Sequence, residues 1–144
     1  MSVVGYTSGV FDLFHIGHLN VLKQAKQNCD KLIVAVTTDE LCQSHKGHRP
    51  FISFQERFEI IQSIGVVDDV VPQSSMDKFA AWQTLKFNRM FVGDDWKGTD
   101  TWNKLEAEFA IVGVDIVYFP YTKTTSSTLL RAALVEITSG RARP

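Results

Sequence analysis

Gly9-Val10-Phe11-Asp12-Leu13-Phe14-His15-Ile16-Gly17-His18 joins two segments of different periodicity. Upstream, Val3-Val4-Gly5-Tyr6 reads as a short buried strand. Downstream, Leu19, Leu22 and Ala25 recur with helical spacing while Lys23, Gln24, Lys26 and Gln27 face water. The stretch is therefore a strand-to-helix turn. A helix that begins at Gly17 puts the imidazoles of His15 and His18 on one face, beside free backbone N–H groups and the positive end of the helix dipole. Such a turn favours an anion, and phosphate above all. On its own, an H-x-x-H pair is as readily a structural coincidence or half of a metal site. The metal reading lacks partners, since Cys29 and Cys42 form no C-x-x-C and His45 and His48 lie in a separate polar segment. Strand, glycine turn, acid and histidines arriving together favour the anion site.

Working outward, strand-like and helix-like runs alternate to the end of the chain. Lys31 to Thr37 is a continuous β-branched run, as expected of a parallel strand buried on both faces. A polar segment runs from Asp39 to Pro50. Ser53-Phe54-Gln55-Glu56 is a capping box opening a helix whose Phe54, Phe58, Ile61 and Ile64 can face the sheet, with Gly65 as stop signal. Val67 to Val71 is predicted as the third strand, Asp77 to Lys86 as a short helix, and Arg89 to Gly93 as the fourth strand, followed by Asp94-Asp95-Trp96. Thr101 to Ile111 is predicted helical and Val114 to Phe119 the fifth strand. Thr122 to Thr128 is a hydroxyl-rich loop feeding a last helix, and the tail from about 139 is expected to fray. Strict β/α alternation implies a doubly wound α/β fold, a five-stranded parallel sheet of Rossmann-like type, in one domain covering 1–144. Ligands of such sheets bind beyond the carboxyl ends of the strands. That is where the unusual residues fall, after the first, second, fourth and fifth strands.

The bulk composition excludes several classes. With 144 residues, 44% hydrophobic and 22% charged at a formal net charge of -1, the chain lacks the basic excess of a non-specific nucleic-acid binder. No apolar run reaches the length of a membrane span, and Met1-Ser2-Val3-Val4-Gly5 lacks the regions of a signal peptide. Two isolated cysteines fit a reducing compartment, so the expected location is cytoplasmic, with no membrane and no nucleic-acid partner.

The turn lacks both the G-x-G-x-x-G spacing of a dinucleotide site and the Gly-Lys-Ser/Thr of a phosphate-binding loop. It resembles instead the signature of the H-x-G-H nucleotidyltransferase superfamily, particularly its cytidylyltransferases. The resemblance continues at Lys46-Gly47-His48-Arg49-Pro50, Gln55-Glu56-Arg57, Val67-Asp68-Asp69-Val70, Gly93-Asp94-Asp95-Trp96-Lys97-Gly98 and Thr125-Ser126-Ser127-Thr128. Within the superfamily the chain looks most like the small bacterial glycerol-3-phosphate cytidylyltransferases. The resemblance implies transfer of a cytidylyl group from CTP to a small phosphorylated alcohol, with Mg2+ as cofactor and a homodimer as assembly. An attacking phosphate whose second pKa is about 6 is already ionised at neutral pH, so the site needs no general base and must neutralise developing charge.

On that resemblance His15, His18, Lys46 and Arg57 are the catalytic candidates. Gly9, Val10, Phe11, Asp12 and Gly17, with Gly93, Asp94, Asp95 and Trp96 and with Thr122, Thr125, Ser126, Ser127 and Thr128, form the nucleotide site. Plainer readings stand beside these. Lys46 suits a solvated loop, Arg57 a surface salt bridge, Asp12 and Asp39 caps, Trp96 packing, and Ser126 to Thr128 an N-cap. The chain departs from the family at Val10, at Tyr121-Thr122 where Arg-Thr is common, and at Thr124-Thr125, where glycine-isoleucine is usual. Losing that arginine removes a phosphate-binding fork for which Lys123 offers compensation. Two alternatives to cytidylyl transfer follow: an adenylyltransferase acting on a sugar or flavin phosphate, and a nucleotide-binding regulatory module without turnover.

Overall fold

A computed structural model describes residues 2–120 and 126–139. Five strands, β1 (Val4–Gly9), β2 (Lys31–Thr37), β3 (Asp69–Gln73), β4 (Arg89–Gly93) and β5 (Asp115–Phe119), pair in the order β3-β2-β1-β4-β5. Every pairing is parallel. Six α-helices alternate with them: α1 (Ile16–Gln27), α2 (Asp39–Lys46), α3 (Phe54–Gln62), α4 (Lys78–Leu85), α5 (Asp100–Ile111) and α6 (Ser127–Thr138). The chain builds the sheet outward from β1 to β3, then crosses back to lay β4 against the other side of β1. The switch point therefore lies between β1 and β4, and the cleft opens above their carboxyl ends. Among the described residues no helix is long and apolar enough to cross a membrane.

The alternation within β2 explains how the sheet is covered. Leu32, Val34 and Val36 point to one face, into a core with Leu22, Ala25 and Ile61; Ile33 and Ala35 point to the other, with Tyr6, Phe87 and Phe109. Both sets are buried, which is why this strand reads as an unbroken apolar run. Gly5, in the central strand, leaves no room for a side chain. A Cβ there would stand 2.5 Å from the Phe91 ring and 2.7 Å from Cys29 Sγ.

Three boundaries differ from the sequence-based expectation. The first strand runs on to Gly9, because Thr7 and Ser8 are polar residues inside it, and Thr7 Oγ1 is buried and donates to Phe91 O at 3.0 Å. The third strand starts at Asp69. Asp68 uses its carboxylate to accept from Leu32 N at 2.7 Å and from Lys26, closing the sheet edge before regular pairing begins. The polar segment after β2 contains α2, capped by Thr38 Oγ1 at its start and by Gly47 at φ 80° at its end. Only Cys42 of this helix is buried, and most of its other residues are polar.

Candidate active site

The β1–α1 loop is built under strain and tied down. Phe11 and Leu13 have φ of 55° and 52°, in the left-handed region that costs a non-glycine residue about 1–2 kcal/mol. Asp12, between them, is buried and accepts from Phe51 N at 2.8 Å and Ile52 N at 2.9 Å. Its carbonyl accepts from Ser127 Oγ at 2.7 Å, and the Val10 carbonyl accepts from Arg57 Nη1 at 2.6 Å. Three distant segments thus hold one loop. Asp12 is neither the cap of α1 nor a free carboxylate.

The cap is the histidine pair itself. His15 is the N-cap of α1, and its Nδ1 accepts from Gly17 N at 3.0 Å, while His18 Nδ1 accepts from His15 N at 3.2 Å. The two imidazoles fill the places that Ser and Glu take in an ordinary capping box. Because both Nδ1 atoms accept, the hydrogen-bond network assigns the remaining proton of each neutral ring to Nε2. Burial, reinforced by His15 and opposed by Asp12, pushes His18 down to about 4. Burial lowers His15 too. At neutral pH His18 is thus an uncharged N–H donor. Its Nε2 lies 3.5 Å from Ser127 Oγ, a weak contact that leaves the N–H open to a stronger acceptor.

The cleft has two lobes of similar size. The first, about 430 Å³, is bounded by Phe11, Asp12, His18, Ser127, Thr128 and Arg131. The second, about 440 Å³, is bounded by Gln73, Met76, Lys78, Met90, Trp102 and Leu105. Ser8, Gly9, Val10, Lys46, Val92 and Trp96 line both, so the lobes meet over β1 and β4.

The expected residues divide accordingly. His18, Lys46, Gly9, Val10, Phe11, Asp12, Gly93, Trp96, Ser127 and Thr128 line the cleft. His15 and Gly17 stand behind it in the cap, and Ser126 caps α6 by accepting from Leu129 N at 3.4 Å. Asp94 and Asp95 are exposed in a short 3-10 turn and do not line the cleft. Thr122 and Thr125, with Tyr121, Lys123 and Thr124, lie outside the described residues, as does the tail from 140.

Arg57 is a correction. Expected on a phosphate or in a surface salt bridge, it is 1% exposed and spends its guanidinium inside the protein. It donates to Ile52 O, Val10 O and Thr37 O at 2.8, 2.6 and 2.8 Å, and pairs with Asp39 at 2.8 Å. Asp39 also accepts from Phe54 N at 3.2 Å and is held below the usual carboxylate range, the Arg57 and Phe54 hydrogen bonds outweighing its burial. Arg57 fixes the loops that make the cleft instead of entering it.

Two charged lining residues, Arg131 and Lys78, escaped the sequence reading. Arg131 follows Ser127 by one helical turn, so it shares the cleft face of α6. Its Nη1 lies 3.5 Å from Asp12 Oδ2, is buried and makes no hydrogen bond, while Nη2 donates to Arg49 O at 3.0 Å. The helical register from the hydroxyl cluster was the available signal. Lys78 is the first residue of α4, the helix that follows β3.

The chain has counterparts among known proteins. The profile of the family described as cytidylyltransferase-like matches residues 6–133. The chain belongs to the cytidylyltransferase-like family. The glycerol-3-phosphate cytidylyltransferase of Bacillus spizizenii is 32% identical over 91% of this chain and 96% of its own length. The FAD synthase of Thermococcus sibiricus is 33% identical over 80% of this chain and 78% of its own. Among solved structures, a lipopolysaccharide core biosynthesis protein of Thermoplasma volcanium superposes with a TM-score of 0.71 at 24% identity, over 87% of this chain and all of that one. That last likeness concerns the fold. In this member of the family His15-Ile16-Gly17-His18 forms a reciprocal helix cap with one ring facing the cleft.

Proposed function

We propose that the protein transfers a cytidylyl group from CTP to a small phosphorylated alcohol, glycerol 3-phosphate first among them, releasing pyrophosphate. The observation that carries this reading is the neutral His18, its proton on Nε2, at the start of α1 and facing a cleft over the switch point. An oxygen of the acceptor phosphate attacks the α-phosphorus, the new P–O bond forms, and the bond to the β-phosphate oxygen breaks. His18 Nε2–H donates to the oxygen that gains charge, and as a neutral donor it needs no proton of its own to be lost or gained. Lys46 and Arg131, whose Nη1 makes no hydrogen bond, supply positive charge to the outer phosphates. Arg131 brings an arginine to the cleft of a chain that carries Tyr121 where the resemblance leads one to expect arginine. Magnesium, bound with the triphosphate, would neutralise charge there. Among the described residues no group of three or more His, Cys, Asp or Glu could hold a metal, and Asp12 and Asp39 are committed to amides and arginines. The residues fit an ion carried mainly by the phosphates, as magnesium commonly is.

Adenylyl transfer to a flavin phosphate is the second reading, supported by the likeness to an FAD synthase and by the apolar walls of the second lobe. Pyrophosphate release in the presence of magnesium, measured with CTP or ATP against glycerol 3-phosphate and flavin mononucleotide, separates the two. Turnover is expected with CTP and glycerol 3-phosphate. Turnover with ATP alone would replace the first reading by the second.

A further inference from the structure

The charge of Arg131 is held by a segment that lies far from it in the sequence. Arg49-Pro50-Phe51-Ile52 belongs to the connection between α2 and α3. Proline fixes its own φ and biases the residue before it towards extended backbone, so this segment is stiff. Its far end is anchored as well, because Ile52 O accepts from the buried Arg57 at 2.8 Å. Two groups of the segment touch the Arg131 guanidinium. Arg49 O accepts from Nη2 at 3.0 Å, and the Phe51 ring faces the guanidinium carbon at 4.6 Å from its centroid. Two more place the counter-charge: Phe51 N and Ile52 N donate to the two oxygens of Asp12, and Asp12 Oδ2 stands 3.5 Å from Nη1. The ring itself takes no part in either apolar core and is 40% exposed. A cation over an aromatic face is attracted most strongly where it is partly desolvated. Arg131 is in that state, with its side chain 25% exposed and Nη1 buried without a hydrogen bond.

We propose that Phe51 is a positioning residue for the triphosphate: its ring holds the Arg131 guanidinium at the wall of the first lobe, with Nη1 left for a phosphate oxygen. This rests on the nucleotidyl-transfer reading above. An arginine side chain has much rotamer freedom to lose when it is fixed on a ligand. Here the chain is ordered before the ligand arrives, and a donor ordered in advance binds more tightly. The three contacts divide that task. The Arg49 carbonyl fixes one nitrogen, the Phe51 ring fixes the face of the guanidinium, and Asp12 balances its charge without a hydrogen bond to Nη1. Leucine in place of Phe51 keeps apolar volume but has no negative face to offer a cation, whereas tyrosine keeps that face.

Phe51→Leu, Phe51→Tyr and Arg131→Met test this, singly and combined, with two readouts. In steady-state assays Phe51→Leu is expected to lower kcat/KM for CTP about three- to tenfold and to leave KM for glycerol 3-phosphate within about twofold. Phe51→Tyr is expected to stay within about twofold of the unmodified protein on both counts. Arg131→Met should cost more than Phe51→Leu. Adding Phe51→Leu to it should cost less than about a further twofold, because the ring then has no cation to hold. An unchanged kcat/KM for Phe51→Leu, Phe51→Tyr no better than Phe51→Leu, or losses that multiply in the double variant would overturn the proposal. The second readout is calorimetric titration with inorganic tripolyphosphate, which needs no turnover. Binding to Phe51→Leu weakened about three- to tenfold, and recovered in Phe51→Tyr, keeps the positioning role even where no nucleotide is transferred and the functional reading fails. Equal binding to Phe51→Leu and the unmodified protein, or no binding to either, rejects it whatever the enzyme does. Circular dichroism melting checks folding, and replacing a ring outside both cores is expected to leave Tm nearly unchanged.

Discussion

The two lobes hold their polar groups in opposite ways. In the first, the fold ties down almost every polar group: His15 and His18 cap one another, Asp12 accepts from two amides, and Arg57 grips the Val10 carbonyl from below. Two left-handed residues survive there because their surroundings over-determine the loop. In the second, a single hydrogen bond to Ser8 holds Lys78, and the walls are methionine, leucine and tryptophan. The first lobe is shaped in advance for a charge distribution that every nucleotidyl transfer shares. The second is shaped by volume and one charge. Relatives matching at 32% and 33% identity carry the names of enzymes with different substrates.

The largest way to break this contrast is to cut the tie beneath the first lobe. Arg57→Met removes four contacts from a fully buried guanidinium and leaves Asp39 without its nearest partner. Removing one member of a buried ion pair costs about 3–5 kcal/mol. Chemical denaturation should show a loss of that order, with nucleotide binding lost as the β1–α1 loop relaxes. A variant of near-native stability that merely bound phosphate more weakly would return Arg57 to the cleft, and the first lobe would not be the pre-tied half.

The next test acts on the donor alone. His18→Ala should lower kcat about 10²–10³-fold, the scale of losing one donor to a developing oxyanion. Stability should fall by only about 1 kcal/mol, because His15 N loses its capping acceptor. KM for CTP should move little, since the interaction strengthens mainly in the transition state. A kcat within a few fold of the unmodified protein would remove His18 from the chemistry and leave it as a cap.

How far the sequence could show all this depends on what each element does with its side chains. The strands were legible because β2 is buried on both faces, and α3 because Ser53 and Glu56 announce its start. α2 was hidden by its own polarity: Cys42 is its single buried residue, although Thr38, the acids after it, Lys46 and Gly47 are an orderly set of helix end signals. The histidine pair was legible as an anion site, but its capping role was not, since imidazoles are not the usual capping side chains. Arg57 misled because an arginine in an apolar helix looks the same in sequence whether it points outward or is buried against three carbonyls. Lys78 and Arg131 were missed because their places at the cleft come from α4 starting within reach of Ser8 in β1 and from the register of α6, facts of topology that spacing does not carry.

The smallest effect is a pH dependence, and it separates the lobes by sign. His18 titrates at about 4 in the folded chain, against about 6.5 when unfolded. Above pH 6.5 both states are neutral and the full stability is present. As pH falls from 6.5 towards 4 the unfolded chain takes up a proton that the folded ring refuses, so stability falls, by at most about 3 kcal/mol. His15 acts in the same direction. Asp39 and Asp68, held low by their partners, add their losses only below about pH 4. Melting curves between pH 7 and 4.5 should therefore drop for the unmodified protein and drop less for His18→Asn, whose amide oxygen can still accept from His15 N. Equal slopes would mean that His18 is not the buried neutral ring the cap requires. Lys78 behaves in the opposite range, losing its charge near pH 8. Acid thus erodes the stability of the pre-tied lobe, while base discharges the lysine of the second.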